Sequence, residues 1–199
     1  MSSSAKYAQL YIIDGSAVVL RELDLSNDTV TTIAGQPYSP GVTDGVGAAA
    51  QFQSPRYMTS NNSGILYIAD TNGYRIRTYD VGSGAVGTFA GTGAAGHVDG
   101  TGTAASVHRP RGMTTDGTSV YWVEFNRHTV RQGVEATGEV TTMLGTPCTT
   151  MGAGMCPGGY ADMVGSAAQF DGPFDIEYHF PSNSLFILDG GNARIRRVQ

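Results

Sequence analysis

The feature that most constrains this chain is an internal repeat of about 55 residues. Four segments share an apolar, aromatic-rich run that ends in an acid, and an arginine follows seven positions later. The four pairs are Asp14 with Arg21, Asp70 with Arg77, Glu124 with Arg131, and Asp189 with Arg196. A unit of this length buries its hydrophobic face only by stacking on its neighbours. The repeat therefore predicts an array of similar units.

A second marker is a connector that recurs before a proline in three units. It has the forms VTDGVGAAAQFQSPRYM, HVDGTGTAASVHRPRGM and YADMVGSAAQFDGPFDI, and its aspartates are Asp44, Asp99 and Asp162. We expect Gly45 and Gly100 to adopt a positive φ in a turn, whereas Met163 at the same position of the third copy cannot do so without strain. One apolar residue of each connector is expected to plug the core. These residues are Phe52, Val107 and Phe170.

Within each unit the local pattern is that of short β-strands. Segments such as GILYIAD, RIRTYDV and AVGTFAG are rich in β-branched and aromatic residues and are separated by turns that contain glycine or asparagine. No segment has a convincing helical period. Four short strands in a unit of this size predict an all-β fold made of β-propeller blades, with an all-β solenoid as the alternative.

The markers divide a single domain, residues 1–199, into units at about 8–60, 61–115, 116–180 and an incomplete 181–199. This corresponds to about three and a half to four blades. We expect the first blade to lack its post-proline strand and the last blade to lack its closing strand. Both ends then leave a sheet edge open. Residues 2–8 are a candidate for one further edge strand.

The runs GILYIADTNGYRIR and AGTGAAGHVDGTGTAASVHRPRGM resemble the NHL-repeat family, and the resemblance extends over three to four copies. The resemblance implies a propeller, commonly of six blades, that serves as a platform for protein, RNA or glycan binding. A minority of related propellers are enzymes, including lyases and lactonases. The chain is shorter than the usual ring. It is therefore expected to be a fragment of a longer propeller, a small ring of about four blades, or a unit that assembles with further copies.

Composition excludes some partners and favours a compartment. The net charge of −5 argues against nucleic-acid binding through phosphate neutralisation, and no apolar run is long enough for a membrane span. Only 15% of the residues are charged, and Lys6 is the sole lysine. This composition favours an extracellular or cell-envelope location, although the first residues do not have the pattern of a secretory signal.

The repeated acids and arginines are interpreted as scaffold, because a catalytic group is needed only once and these occur in every unit. No catalytic residue, cofactor or metal site is assigned. The glycine pattern from Gly100 to Ala105 imitates a dinucleotide fingerprint, but it precedes a proline and a strand instead of opening a helix. Calcium is left open, since the connector aspartates would have to converge on one axis to bind it. The four histidines are expected to be solvated loop residues.

Function is sought where the copies differ. The third unit replaces ADTNGYR with VEFNRHT, which makes Trp122, Phe125, Asn126, Arg127 and His128 candidate contacts to a protein or a glycan. Tyr160 lies in a second candidate surface, beside an insertion that carries the two cysteines. Cys148 and Cys156 are expected to form either a disulfide or a pair of free thiols. His97 and His108, and the arginines beside Pro110, are also individual to one copy.

These observations predict a non-enzymatic binding or assembly module, with a protein or a glycan as its partner. Two alternatives are kept. The first is a lyase or hydrolase with a metal-assisted site in the channel of a completed ring. The second is a structural protein whose open blade edges pair between copies.

Overall fold

The computed structural model describes residues 9–147 and 156–199. In these two ranges the chain forms sixteen β-strands and five short 3-10 turns, and no α-helix. The strands form four antiparallel sheets, which confirms the predicted β-propeller blades. No helix in this part of the chain is long and apolar enough to cross a membrane.

The four sheets follow one another along the chain. Blade 1 contains β1 (Gln9–Asp14), β2 (Val19–Asp24) and β3 (Thr29–Ala34). Blade 2 contains β4 (Gly45–Val46), β5 (Pro55–Ser60), β6 (Ile65–Asp70), β7 (Arg75–Asp80) and β8 (Ala85–Ala90). Blade 3 contains β9 (Gly100–Thr101), β10 (Pro110–Thr115), β11 (Ser119–Glu124), β12 (Thr129–Val134) and β13 (Glu139–Leu144). Blade 4 contains β14 (Pro173–His179), β15 (Ser184–Asp189) and β16 (Arg194–Val198).

The first full-length strand of each blade lies innermost. Strand β10 contacts β5 on one side and β14 on the other, so these three strands line the axis around which the blades are arranged. Each of them begins with a proline that occupies the first strand position, where no ladder hydrogen bond is lost. A register shift follows each proline, and such bulges turn a side chain away from the regular ladder.

The predicted incomplete blades are present. Blade 1 has no strand inside β1, and blade 4 has no strand outside β16, among the residues that the structure describes. In blades 2 and 3 the outer strand pairs instead with a short segment of the preceding connector, β4 or β9. The edge strand proposed for residues 2–8 lies outside the described residues.

The core lies between neighbouring blades, not within a single sheet. The side chains expected to plug it are buried: Phe52 and Val107 have no exposed surface, and Phe170 is 2% exposed. Phe52 packs between blades 1 and 2, Val107 between blades 2 and 3, and Phe170 between blades 3 and 4. Each connector therefore supplies the hydrophobic contact that joins one blade to the next.

The expected turns at Asp44-Gly45 and Asp99-Gly100 are wrong in position. The positive φ lies two residues after each glycine, at Gly47 and Gly102, where φ is 56°, and the third connector has Gly165 at φ 58° in the same place. All three copies therefore share one backbone, and Met163 bears no strain of this kind. Gly45 is required instead by close packing, because a Cβ there would lie 3.2 Å from Ala49.

Candidate functional site

The repeated acid and arginine form an ion pair in every blade. Their N–O distances are 3.1 Å for Arg21–Asp14, 3.6 Å for Arg77–Asp70, 3.1 Å for Arg131–Glu124 and 2.9 Å for Arg196–Asp189. In blades 2 to 4 these side chains are at most 9% exposed. The structure thus places these three pairs inside the blades, away from any surface that a ligand could reach, whereas the blade 1 pair is partly exposed.

Each buried arginine also holds the connector of its own blade. Arg77 donates to the carbonyl oxygens of Gln51 at 2.9 Å and Thr43 at 3.1 Å, and it pairs with the carboxylate of Asp44 at 2.6 Å. The same contacts in blades 3 and 4 join Arg131 to Ser106, Val98 and Asp99, and Arg196 to Gln169, Ala161 and Asp162. One guanidinium therefore fixes both halves of a connector against the sheet.

The three connector aspartates do not meet at a common site. Asp44, Asp99 and Asp162 each face the arginine of their own blade. Within the described ranges, no group of three or more His, Cys, Asp or Glu residues is arranged to hold a metal ion. These three aspartates therefore do not converge on one point, as calcium binding by them would require.

His97 is part of a buried network in blade 3, which corrects the expectation of a solvated loop residue. Its Nδ1 lies 2.6 Å from the Glu124 carboxylate and its Nε2 lies 2.9 Å from the Thr142 hydroxyl. Burial alone would raise the pKa of Glu124, but the hydrogen bond from His97 and the charge of Arg131 outweigh it and hold that pKa below its ordinary range. The network stabilises the blade.

Trp122 belongs to the core. Its side chain has no exposed surface and packs between blades 2 and 3 with Tyr67, Ile76 and Val107. An alternating strand places every second residue on one face, and in β11 both faces are covered by neighbouring blades. Trp122 therefore offers no surface to a ligand.

Three further candidates in the β11–β12 turn pack against the end of the insertion. The backbone carbonyl of Asn126 accepts a hydrogen bond from the Cys156 N–H at 3.1 Å, and Arg127 contacts the Cys156 sulfur at 3.7 Å. His128 accepts the Gly172 N–H at Nδ1, at 2.7 Å, so its Nε2 carries the proton and donates to the Cys156 carbonyl at 2.6 Å. Arg127 and His128 are each 5% exposed, so His128 too is not the expected solvated residue. Cys148 lies outside the described residues, and its pairing with Cys156 stays a prediction.

Phe125 is the one residue of this turn that points toward the axis. The guanidinium of Arg111 lies 4.0 Å from the centre of the Phe125 ring and 4.8 Å from that of Phe174, while the two rings meet edge to face at 6.3 Å. Tyr57 contacts Phe174 from the other side, at 6.2 Å. Arg56, Tyr57, Arg111, Phe125 and Phe174, contributed by blades 2, 3 and 4, are called the axial cluster below.

The axial cluster is half-open to solvent and positively charged. Phe174 is 40% exposed, Arg56 is exposed, and Tyr57 and Arg111 are half-buried. Burial raises the pKa of Tyr57, and the charge of Arg111 opposes this rise. Burial also lowers the pKa of Arg111, and the like charges of Arg56 and Arg109 add to that effect.

Tyr160 lies elsewhere, on the outer part of blade 4. Its ring contacts the guanidinium groups of Arg194 and Arg196, each at 4.7 Å, and its hydroxyl donates to Asp162 at 3.0 Å. It is 46% exposed and lines a groove of about 520 Å³. The two surfaces predicted from sequence are therefore separate, and only Phe125 among the six predicted residues belongs to the axial cluster.

Except for Tyr57, the residues of the axial cluster that sequence reasoning missed share one position. Arg56, Arg111 and Phe174 each follow the proline that begins an inner strand, in the bulge where they leave the ladder. The connector alignment contains the signal, because this position reads Arg, Arg and Phe while the proline before it does not vary. The sequence distinguishes Arg111 only as one of two arginines beside Pro110.

Charge is distributed unevenly between the two ends of the blades. The end where the inner strands begin, called the connector face below, is also where the connectors run. Outside the four ion pairs, six of the seven remaining arginines lie at this end: Arg56, Arg75, Arg109, Arg111, Arg127 and Arg194. Thirteen acids lie outside these four pairs. Three of them are the connector aspartates, which pair with buried arginines. Eight others lie in the opposite half: Glu22, Asp24, Asp28, Asp80, Asp116, Glu135, Glu139 and Glu177. The arginines outside the four pairs are thus concentrated at one end of an acidic protein.

Several solved structures share this fold. An auxiliary nutrient binding protein from Bacteroides thetaiotaomicron superposes with a TM-score of 0.72 at 23% identity, covering 96% of this chain and 45% of that one. A protein of unknown function from the same organism gives 0.71 at 21% identity, with 96% and 44% covered. Virginiamycin B lyase from Staphylococcus aureus gives 0.55 at 10% identity, with 96% and 52% covered.

The likeness is one of fold. The chain spans just under half the length of the two Bacteroides structures. No protein-family model matches it, and no curated protein sequence matches it. Because these identities are below 25%, the likeness carries no information about the residues of the axial cluster.

Proposed function

We propose that this chain forms a ligand-recognising part of a non-enzymatic β-propeller binding module, and that its ligand is a glycan or glycan-like nutrient held at the axial cluster. The observation that carries the proposal is the convergence of side chains from three blades on one half-open site at the connector face. Tyr57, Phe125 and Phe174 offer aromatic surface, and Arg56 and Arg111 offer hydrogen-bond donors. Ligand sites combine such apolar surface with a few oriented polar groups.

The position of the cluster supports a binding role over a scaffold role. The three buried ion pairs and the connector contacts already hold blades 2 to 4 together, and they recur in each of these blades. Phe125 occupies a position that is Thr71 in blade 2 and Gly190 in blade 4, so the fold does not require an aromatic ring there. An aromatic side chain that occurs in one unit only and lies half-buried beside the inner strands is suited to recognition.

Three further points support the proposal from outside the site. The auxiliary nutrient binding protein has the same fold, and the repeat signature resembles NHL repeats, which form binding platforms. The low content of charged residues agrees with an extracellular or cell-envelope location, where nutrients and glycans are met.

The open edges support the idea that the module is completed by further blades, in a longer chain or in a second copy. A groove of about 590 Å³ runs beside β16, and apolar side chains that border this edge are exposed, with Val164 at 92% and Ile195 at 73%. An unpaired strand beside exposed apolar surface is an edge that proteins ordinarily cover.

The test is to titrate the chain with a panel of oligosaccharides by calorimetry and to compare three proteins. Binding that is lost in Phe125→Thr, which installs the blade 2 residue, and kept in Tyr160→Ala supports the axial cluster. Binding lost only in Tyr160→Ala moves the site to blade 4. Chemical change of a bound oligosaccharide, followed by mass spectrometry, would replace the binding proposal with the lyase or hydrolase alternative.

A further inference from the structure

The strongest unexplained feature of the axial cluster is a group of positive charges without a counter-charge. The side chains of Arg56, Arg109 and Arg111 form no ion pair with any carboxylate among the described residues. Arg56 donates only to the hydroxyl of Ser54, at 3.3 Å, and Arg109 and Arg111 have no side-chain hydrogen bond within the described ranges. Three guanidinium groups near one another repel unless an anion joins them.

Arg111 is held in place without using its donors. The central carbon of its guanidinium lies over the rings of both Phe125 and Phe174, and these contacts hold the group in place while its N–H groups have no acceptors in the described chain. A preorganised guanidinium loses less conformational entropy when it binds, and its parallel N–H groups match the two oxygens of a carboxylate or a sulfate. This arrangement is suited to an anion with two oxygens that accept parallel hydrogen bonds.

The groups around Arg111 are suited to a sugar that carries the anion. Tyr57 and Phe174 supply ring surface beside it, while Asp175 lies on β14 against Gly112, close enough for its charge to act on Tyr57. The Asp175 carboxylate is exposed and accepts only the Ile176 N–H, at 3.0 Å. Its oxygens can therefore accept hydrogen bonds from sugar hydroxyl groups.

The crowding at Gly112 keeps these groups together. A Cβ at residue 112 would lie 2.4 Å from the Cα of Asp175, which means that β10 and β14 approach more closely than any side chain would allow. Gly112 thus brings Arg111 and Asp175, one donor and one acceptor, onto adjacent strands at the axis.

We propose that the axial cluster recognises an acidic sugar, with Arg111 binding its carboxylate or sulfate, Arg56 and Arg109 adding attraction, and Asp175 accepting hydrogen bonds from its hydroxyl groups. This inference rests on the proposed glycan-binding function and narrows it to the anionic members of that ligand class. The surplus of arginines on the connector face draws such a ligand toward this end of an otherwise acidic protein.

The experiment compares matched ligands on the unmodified chain. The probes are a galacturonate hexasaccharide, the same hexasaccharide after reduction of its carboxyl groups, a sulfated galactan hexasaccharide, and sodium sulfate alone. We expect an acidic hexasaccharide to bind at least about tenfold more tightly than the reduced one, with an affinity that falls as salt is added. The carboxylated and sulfated probes separate the two sources of charge, and sodium sulfate measures binding of a free anion.

The variants identify the residue responsible. Arg111→Gln should weaken acidic binding about 10- to 100-fold and reduced-sugar binding by a clearly smaller factor, since only the acidic ligand loses a charged hydrogen-bond pair. Arg111→Lys keeps the charge but not the paired N–H geometry. Its affinity for the acidic ligand should therefore lie between those of the unmodified chain and Arg111→Gln. Arg197→Gln, an exposed arginine in the opposite half of blade 4, is the control and should bind like the unmodified chain. Thermal unfolding of each variant checks that the fold is kept.

The outcomes separate the inference from the function on which it rests. Equal affinity for the acidic and reduced hexasaccharides, or no effect of Arg111→Gln, overturns the anionic specificity and leaves glycan binding standing. Sulfate binding without any saccharide binding removes the glycan function and keeps an anion site. Binding of none of the probes rejects both.

Discussion

Blade 1 and blade 3 each carry an acid and an arginine at the same spacing, yet they bury the pair to different depths. Arg21 and Asp14 are 37% and 31% exposed, whereas Arg131 and Glu124 have no exposed surface. In blade 3 the preceding connector covers the pair, and Arg131 donates to two of its carbonyl oxygens. In the part of the chain that the structure describes, no connector contacts Arg21. The repeat places an ion pair in each blade. How much that pair stabilises the fold depends on whether a connector covers it.

The largest test of this comparison removes the arginine from each blade. Arg131→Met should lower the free energy of unfolding by about 3–5 kcal/mol, because it leaves the buried Glu124 carboxylate without its main counter-charge. Arg21→Met should cost at most about 1 kcal/mol, because solvent screens the exposed pair. Urea unfolding followed by tryptophan fluorescence measures both. Equal losses in the two variants would contradict the role given to the connector.

A second, smaller effect concerns the histidine that only the blade 3 connector provides. His97→Leu should cost about 1–3 kcal/mol at pH 7, since Glu124 and Thr142 lose a buried hydrogen-bond partner. Because the pKa of Glu124 lies below its ordinary value of 4.5 in the folded protein, its ionised form stabilises the fold above that pH. The contribution is lost as the pH falls through the lowered pKa.

The difference between the unmodified chain and His97→Leu should therefore shrink as unfolding is repeated from pH 7 down to about pH 3. His179→Leu serves as the control. That histidine is exposed and contacts only Ser182 and Phe186, so its loss should change stability by about 0.5 kcal/mol or less at either pH. A gap between unmodified and His97→Leu protein that stays constant with pH would exclude the coupling to Glu124.

The smallest effect is expected from the connector aspartate. Asp99→Ala removes one partner of Arg131 and the acceptor of the Thr142 N–H, but its carboxylate is 50% exposed and the Glu124 pair is kept. We expect a loss of about 1 kcal/mol. Hydrogen exchange should localise the change to β13 and the connector. A loss as large as that of Arg131→Met would mean that the exposed carboxylate, and not the buried pair, holds the blade.

The repeat was enough to predict strands, blades and core because these depend on patterns that recur. The buried positions Phe52, Val107 and Phe170, the ion-paired acids and arginines, and the two incomplete blades all follow from alignment of the units. The position of the connector turn could not be read in this way. Asp-Gly is a strong local signal for a positive φ, but here packing against Ala49 and Ala104 explains the glycines at 45 and 100.

The candidate site was harder to predict because its members are distant in sequence. Trp122 and Phe125 are three residues apart on one strand and its turn, and local sequence treats them alike as aromatic contacts. The neighbouring blades bury the first and leave the second at the axis, against Arg111. Likewise His128 appeared as a loop residue, and only the return of the insertion at Cys156 encloses it.

By itself, the sequence determined the repeating unit: its strands, its buried charge pair and the apolar plug that joins it to the next unit. These are short-range properties that each copy carries within about 55 residues. Tertiary structure alone decided which unit-specific side chains meet. Arg111, Phe125 and Phe174 come from different strands and from two blades, and they touch because prolines and bulges start the inner strands at one level around the axis.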